Sequence, residues 1–264
     1  MVLCCLGTLV YFLGLIGTLR LGYELYKILI EAYPISKIDV KNVYNKNGSY
    51  AIITGSTNGI GLSYMKYLAS QGFNLVCIAR KEALLKQRES EILELYPKIK
   101  IVNITKDFKE AYKAAFYDEI AQKTKDLDIA VLVNNVGMST GPIPQEITEL
   151  DEQVVKDTIV VNSHSQVGMM HTVVPKMIQR KQRSAVITVS SVAHHMSINV
   201  FGVYGCSKIF TNYISIGLGS RRFGGAPLDF LDVSPGLVTT NMTSEIKKSL
   251  ISPEDPDNVP ASTF

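Results

Sequence analysis

From Tyr50 onward, short apolar segments alternate with longer stretches whose apolar residues recur at helical spacing. Strands separated by helices of about 10 to 20 residues form βαβ units, and such strands lie parallel in a sheet covered by helices on both faces. The alternation therefore predicts one α/β domain over residues 50–264, with a doubly wound parallel sheet. Six strands are predicted, at residues 50–54, 73–79, 98–104, 128–134, 184–190 and 227–233.

The composition suits one large domain with a buried core. The chain has 264 residues, of which 46% are apolar and 19% charged, and a net charge of +3. Its basic residues are scattered and do not form a dense patch interleaved with aromatic residues, so nucleic-acid binding is not expected. The four cysteines lack the spacing of zinc ligands or of a disulfide framework, so no metal site is expected.

The N-terminus differs from that of an ordinary soluble enzyme, because its first 19 residues carry no charged side chain. A helix of that length spans roughly 28 Å, close to the ~30 Å hydrocarbon core of a bilayer. We therefore predict a membrane anchor at residues 1–33 and a polar linker at 34–49; a cleaved signal peptide is the alternative. Lysines follow the anchor and none precedes it, which places the domain in the cytosol.

A glycine-rich turn, "TGSTNGIG", follows the first predicted strand and opens the next helix. Gly55, Gly59 and Gly61 allow a tight turn and a close approach of the backbone to a pyrophosphate. The free N–H groups at the start of a helix also attract anions. The turn therefore predicts a dinucleotide site.

The residues after the second strand indicate which nicotinamide cofactor would bind. An acidic residue there binds the ribose 2′-hydroxyl of NAD, whereas arginine accommodates the 2′-phosphate of NADP. This chain has Arg80 and Lys81 at that place. The alternative is that both are solvated loop residues. We expect NADP(H).

A serine, a tyrosine and a lysine supply the groups that reduction of a carbonyl needs. Tyr204 and Lys208 are four residues apart and share one face of a helix, and Ser191 ends an apolar strand. Tyrosine has an ordinary pKa near 10, and a neighbouring ammonium lowers it. The Ser191 hydroxyl could hold the substrate oxygen beside Tyr204. The set predicts hydride transfer with Tyr204 as the proton donor.

Together these motifs resemble the ordered series of the short-chain dehydrogenase/reductases, over roughly residues 50 to 240. The resemblance is carried by Thr54 to Gly61, "LVNNVG" (132–137), Asn162, Ser191, "YGCSK" (204–208) and "SPGLV" (234–238). It implies a Rossmann-type fold. The N-terminal anchor, "VLVNNVGMS" and Arg80 more closely resemble the membrane-bound very-long-chain 3-oxoacyl-CoA reductases, a branch that includes 17-beta-hydroxysteroid dehydrogenases types 3 and 12.

The resemblance implies roles for individual residues. Tyr204 would donate the proton, Lys208 would lower its pKa and bind the nicotinamide ribose, Ser191 would orient the carbonyl, and Asn162 would hold a water of a proton relay. The implied cofactor-binding residues are Gly55, Ser56, Gly59, Ile60 and Gly61 at the pyrophosphate, Arg80 and Lys81 at the 2′-phosphate, Asp107 at the adenine, Asn134 and Gly137 beside it, and Pro235, Gly236 and Val238 at the nicotinamide.

The implied reaction is NADPH-dependent reduction of a long-chain or very-long-chain 3-oxoacyl-CoA to the 3-hydroxyacyl-CoA, a step of fatty-acid elongation. Two alternatives are a 17-ketosteroid reductase and a catalytically silent homologue that only binds cofactor. The same resemblance implies the endoplasmic reticulum membrane, a homodimer, and fatty-acid elongation enzymes as partners. Family members continue past the position of Phe264 with another helix and a seventh strand, so activity without them is left open.

Overall fold

The N-terminal unit of the chain contains a long helix. The computed structural model describes residues 2–32, 38–46, 48–141, 145–195, 202–219, 225–238, 240 and 256. These residues fall into two compact units, which meet in sequence between Ile38 and Asp39. The first holds α1 (Val2–Ala32), whose side chains from Tyr11 to Tyr26 are exposed. No helix among the described residues is both long and apolar enough to cross a membrane, so the predicted transmembrane helix is not confirmed.

The second unit is built on a six-stranded parallel sheet, which confirms the predicted fold class. The strands are β1 (Tyr50–Thr54), β2 (Asn74–Ala79), β3 (Ile101–Thr105), β4 (Ile129–Asn134), β5 (Ser184–Val189) and β6 (Leu228–Val233). Their spatial order is β3-β2-β1-β4-β5-β6, and every pairing is parallel. This is the strand order of a Rossmann-type sheet. The chain runs outwards from β1 to β3 on one side and from β4 to β6 on the other, so the order reverses between β1 and β4.

Helices cover both faces of the sheet. They are α2 (Val40–Tyr44), α3 (Gly59–Ser70), α4 (Glu82–Leu95), α5 (Ala114–Lys123), α6 (Glu152–Ile159), α7 (Ser165–Gln179) and α8 (Gly202–Gly219). Successive strand residues point to opposite faces. Accordingly, Ile53 of β1 packs into a core with Tyr64 of α3, and its neighbour Ile52 packs into a second core with Phe116 and Met169 of α5 and α7.

The predicted linker at residues 34–49 differs from the structure over the part that is described. Asp39 caps the start of α2, and its side chain accepts a hydrogen bond from the Asn42 amide at 3.0 Å. Val40 and Tyr44 are buried against the domain. The Tyr44 hydroxyl also donates to Asp229 Oδ2 at 2.7 Å. Residues 39–46 are therefore a packed part of the domain, because two apolar side chains in this polar segment reach its core.

Candidate active site

A cavity of about 530 Å³ opens at the carboxyl ends of the strands. In open α/β sheets ligands bind at this edge, where the strand order reverses. Most of the predicted site residues border the cavity: Gly55, Gly59, Ile60, Arg80, Lys81, Asp107, Gly137, Ser191, Tyr204, Lys208, Pro235, Gly236 and Val238. Four do not, and these are Ser56, Gly61, Asn134 and Asn162. The sheet thus brings together residues that are up to 183 positions apart in sequence.

The glycine-rich turn is held by backbone contacts that exclude larger residues. Gly55 has a φ of +67°, which favours glycine, and its N–H donates to the Ile78 carbonyl at 2.8 Å. A Cβ on Gly61 would lie 2.2 Å from the Gly55 carbonyl oxygen. Gly61 therefore lets α3 pack against the turn, while Ser56 is fully buried and does not face the cavity.

Thr54 and Asn135 join the glycine-rich turn to the end of β4. The Thr54 hydroxyl oxygen accepts hydrogen bonds from the backbone N–H groups of Asn135 and Val136, at 2.9 and 3.0 Å. The Asn135 side chain returns a hydrogen bond to the Thr54 carbonyl at 2.9 Å. This reciprocal pair fixes the two loops between which the strand order reverses.

Asn134 does not border the cavity, whereas its neighbour Asn135 does, and support of the cofactor by Asn134 stays a prediction. Asn134 is buried and donates from Nδ2 to the Gln166 carbonyl of α7 at 3.1 Å. Asn135 borders the cavity, and sequence reasoning missed it. The doubled asparagine in "LVNNVG" was the available signal, but the sequence did not show which of the two side chains turns towards the crevice.

Cations gather at the end of the cavity beyond β2 and β3. Lys106 and Lys109 border it but form ion pairs, Lys106 with Glu119 and Lys109 with Asp157 at 2.6 Å. Within the part of the chain that the structure describes, Arg80 and Lys81 take part in no ion pair. Binding of a 2′-phosphate by these two cations stays a prediction.

Asp107 also stands in this region, between the two paired lysines. Its side chain accepts a hydrogen bond from the Lys109 amide at 3.1 Å and caps the short 3-10 helix Phe108–Glu110. The aspartate borders the cavity where the adenine end of a dinucleotide is expected. Its contact with adenine stays a prediction.

Tyr204, Lys208 and Ser191 meet at the opposite end of the cavity. Tyr204 and Lys208 lie one turn apart on α8, and the Lys208 ammonium is 5.8 Å from the centre of the Tyr204 ring. Lys208 is 4% exposed and donates from Nζ to the Val189 carbonyl oxygen of β5 at 3.0 Å. Ser191 follows β5 and borders the same space. Helix α8 thus places the Tyr204 phenol and the Lys208 ammonium beside the Ser191 hydroxyl at the end of β5.

Burial moves the pKa values of both titratable groups of this set. It lowers the pKa of Lys208 from 10.5 to about 8, and the charge of Asp232 works in the opposite direction. Burial also raises the pKa of Tyr204, while hydrogen bonding with the Ser191 side chain lowers it. At neutral pH the phenol therefore carries its proton and the lysine is mostly an ammonium, as a proton donor and its neighbour must be for reduction.

The choice of Ser191 over Ser190 agrees with where the two hydroxyls point. Ser190 is buried, and its hydroxyl donates to Asp232 Oδ2 at 2.7 Å. Ser191 is half-buried, and its Oγ accepts a hydrogen bond from the Ala193 amide at 3.2 Å. Both serines border the cavity, and a hydrogen bond with the Ser191 side chain lowers the pKa of the Tyr204 phenol.

Asn162 lies behind the cavity, in a single π-helical turn between α6 and α7. Its Oδ1 accepts from the Met138 amide at 2.8 Å, and its Nδ2 donates to the Met138 carbonyl and to the Ser207 hydroxyl, both at 2.9 Å. It thereby ties the loop after β4 to α8. The structure shows this positioning contact, and the predicted water relay stays a prediction.

Comparison with known proteins identifies the family of this fold and site. The family model described as short chain dehydrogenase matches residues 49–250. The chain belongs to the short-chain dehydrogenase family. Its match extends over all six strands and over every predicted site residue.

Two curated short-chain dehydrogenase relatives carry different names. A very-long-chain 3-oxoacyl-CoA reductase of Laccaria bicolor is 30% identical over 209 residues, 79% of this chain and 61% of that protein. A Homo sapiens protein named inactive hydroxysteroid dehydrogenase-like protein 1 is 32% identical over 197 residues, 75% of this chain and 58% of the relative. The chain thus spans about three fifths of the length of these relatives.

Among solved structures, a short-chain dehydrogenase from Sphingobium yanoikuyae in complex with NADPH superposes with a TM-score of 0.72 at 20% identity. The match covers 80% of this chain and 81% of that one. This likeness shows the short-chain dehydrogenase fold.

Proposed function

We propose that the chain is an NADP(H)-dependent ketoreductase that reduces a long-chain or very-long-chain 3-oxoacyl-CoA to the 3-hydroxyacyl-CoA. The observation that carries this proposal is the convergence of Ser191, Tyr204 and Lys208 on a cavity whose other end holds Arg80 and Lys81. A proton donor and two phosphate-binding cations at opposite ends of one crevice suit a nicotinamide dinucleotide and a carbonyl substrate.

The residues of the cavity fit NADP(H). Gly55 and Gly59 have positive φ values, and they present the N-terminus of α3 to the crevice, where a pyrophosphate would accept its free N–H groups. Arg80 and Lys81 would bind the 2′-phosphate with charge-assisted hydrogen bonds. Pro235 and Gly236 border the end that holds Tyr204, where the nicotinamide would lie. When bound, the cofactor supplies the hydride.

The protein's own groups would handle the proton and the carbonyl. The Ser191 hydroxyl would donate a hydrogen bond to the carbonyl oxygen and hold it beside Tyr204. The Tyr204 phenol would then give its proton to that oxygen as negative charge develops on it. The buried Lys208 ammonium would stabilise the phenolate left behind, because a neighbouring positive charge lowers the pKa of a phenol. Asn162 would keep the facing loop in place through Met138.

The names of the relatives support the substrate class and also the two alternatives. The Laccaria bicolor relative is named for very-long-chain 3-oxoacyl-CoA, and the human relative carries a hydroxysteroid name, so a 17-ketosteroid reductase is the second candidate. The human relative is also named inactive. Against a silent homologue, this chain keeps the serine, the tyrosine and the lysine in one site.

The cellular setting stays a prediction from the sequence. A very long acyl chain partitions into lipid, so attachment at the endoplasmic reticulum membrane through residues 1–33 would suit the proposed substrate. The domain would face the cytosol by the positive-inside rule. A homodimer and association with fatty-acid elongation enzymes belong to the same proposal. Alkaline extraction and protease protection of the tagged chain in microsomes would test the attachment and its orientation.

The proposal is tested by following NADPH oxidation by the full chain in detergent. A long-chain 3-oxoacyl-CoA and a 17-ketosteroid are offered separately to the wild type and to Tyr204→Phe. Tyr213→Phe is the matched control, because Tyr213 lies on the same helix and is 73% exposed. Turnover of the acyl-CoA that is lost in Tyr204→Phe and kept in Tyr213→Phe is expected. Preference for the steroid would favour the second candidate, and NADPH binding without turnover of either would refute the proposed activity.

A further inference from the structure

One carboxylate receives hydrogen bonds from three separate parts of the candidate site. Asp232 lies next to the last residue of β6, opposite Thr188 of β5. Its Oδ2 accepts from the Ser190 hydroxyl at 2.7 Å, from the Ser234 hydroxyl at 2.7 Å and from Asn212 Nδ2 at 2.8 Å. These donors belong to the end of β5, the loop after β6, and α8. Hydrogen bonds to an ionised acceptor are roughly twice as strong as neutral ones.

Each donor is next to a residue of the site. Ser190 directly precedes Ser191, and Ser234 directly precedes Pro235. Asn212 lies one helical turn beyond Lys208, on the same face of α8. The Asp232 carboxylate therefore connects the segments that carry the serine, the nicotinamide-side loop and the lysine. The contacts with Ser190 and Asn212 join residues that are far apart in sequence, whereas the contact with Ser234 is local.

The other oxygen of the same carboxylate is unusual. Asp232 Oδ1 is buried and has no hydrogen-bond partner among the described residues. A buried carboxylate oxygen without a hydrogen-bond partner costs free energy. An asparagine could still accept hydrogen bonds at one atom, so the three contacts by themselves do not require a negative charge.

Lys208 and Asp232 bind adjacent residues at the end of β5: the Lys208 ammonium donates to the Val189 carbonyl, and Asp232 accepts from the Ser190 hydroxyl. Among the described residues, the titratable groups that act on the Lys208 ammonium are Tyr204 of α8, whose ring centre is 5.8 Å away, and Asp232 of β6. The ammonium also donates to the uncharged Val189 carbonyl of β5, and it lies close to Gly137 after β4, where an added Cβ would be 3.3 Å from Nζ. The charge of Asp232 opposes the lowering of the Lys208 pKa that burial causes.

We propose that Asp232 is a positioning residue of the active site: it joins the ends of β5 and β6 to α8 and supplies a negative charge at the end of β5 to which Lys208 is hydrogen-bonded. This inference deepens the proposed function and rests on it for its catalytic meaning. Without the carboxylate, Lys208 would lose its proton at lower pH. The Tyr204 phenol would then lack its ammonium neighbour over more of the alkaline range, and reduction would fall off at lower pH.

The test measures the Lys208 pKa directly, in the cofactor-free full chain. Lysine labelled with carbon-13 at the ε position is titrated by NMR, and Lys208→Arg assigns the signal. In Asp232→Asn the pKa is expected to move below its wild-type value of about 8. Asn212→Ala removes one hydrogen bond and keeps the carboxylate, so its Lys208 pKa is expected to stay at the wild-type value. The pH above which the NADPH-dependent rate falls should likewise be lower in Asp232→Asn than in the wild type, and unchanged in Asn212→Ala.

An unchanged Lys208 pKa in a folded Asp232→Asn variant would overturn the inference. So would an equal shift in Asn212→Ala, since the effect would then come from lost packing. If Asp232→Asn does not fold, Asp232→Ser also removes the charge and carries the same expectation, and Asp232→Glu should restore the wild-type pKa. Because the NMR titration needs no turnover, an inactive chain with a shifted pKa would refute the proposed function and leave the role of Asp232 standing.

Discussion

Replacing Lys208 by methionine is expected to stabilise the folded chain while it removes turnover. Lys208 is 4% exposed, and burial lowers the pKa of its ammonium from 10.5 to about 8. At about 1.36 kcal/mol per pKa unit, keeping the ammonium buried at pH 7 costs roughly 3 kcal/mol. The substitution also loses the hydrogen bond to the Val189 carbonyl, worth about 1 kcal/mol. The free energy of unfolding should therefore rise by roughly 2 kcal/mol.

The pH dependence of stability has a definite sign. The pKa of Lys208 is lower in the folded chain, at about 8, than its ordinary value of 10.5. Between these two values the unfolded chain binds more protons, so the free energy of unfolding of the wild type gains a contribution that rises with pH. Below pH 8 this contribution is absent, because Lys208 is then protonated in both the folded and the unfolded chain, and folding must bury the charged ammonium. The methionine variant should lack the rise.

Urea unfolding of the full chain in detergent, followed by far-ultraviolet circular dichroism at pH 7 and pH 10, measures both effects. Lys98→Met is the matched control, because Lys98 is exposed and an exposed substitution usually changes stability by less than about 0.5 kcal/mol. A Lys208→Met variant that is less stable than the wild type at pH 7 would refute the reasoning. A stability advantage of Lys208→Met that does not shrink from pH 7 to pH 10 would refute the sign, because only the wild type gains stability over that range.

Three further substitutions test other parts of the site. Gly61→Ala places a Cβ 2.2 Å from the Gly55 carbonyl oxygen, so we expect urea unfolding to show a loss of about 1–3 kcal/mol and fluorescence titration to show weaker NADPH binding. Arg80→Ala should weaken NADPH binding roughly tenfold in the same titration and leave NADH binding unchanged, because only NADPH has the 2′-phosphate. Ser191→Ala should lower kcat by roughly 100-fold, whereas Ser190→Ala should mainly lower stability, by about 1 kcal/mol; equal kcat values for these two variants would contradict the assignment.

The elements of the domain and part of its site could be predicted because they depend on local spacing. Alternating apolar and helical segments are enough to predict parallel strands, since βαβ connections leave few other arrangements. Tyr204 and Lys208 could be paired because helix geometry directs positions i and i+4 to one face. Gly55 and Gly59 could be placed in a turn because a glycine-rich run joined a strand to a helix.

The direction of single side chains at the ends of strands could not be predicted in this way. Asn134 and Asn135 are adjacent and identical, and the one that borders the cavity is decided by how β4 packs against α7. The sequence of residues 39–46 predicts a polar linker, yet Val40 and Tyr44 are buried. The hydrogen-bond partner of Tyr44 is Asp229, 185 residues away, so the sequence near Tyr44 does not reveal it.

The sequence by itself determined the fold class, the glycine-rich turn and the shared helix face of Tyr204 and Lys208, because each follows from the chemistry and spacing of neighbouring residues. Only the tertiary structure decided which polar groups meet. Asp232 contacts Ser190 from 42 residues away and Asn212 from 20, and no local pattern brings these groups to one point. The physical reason is that sheet pairing and helix packing set such distances, and they are fixed only when the whole domain is folded.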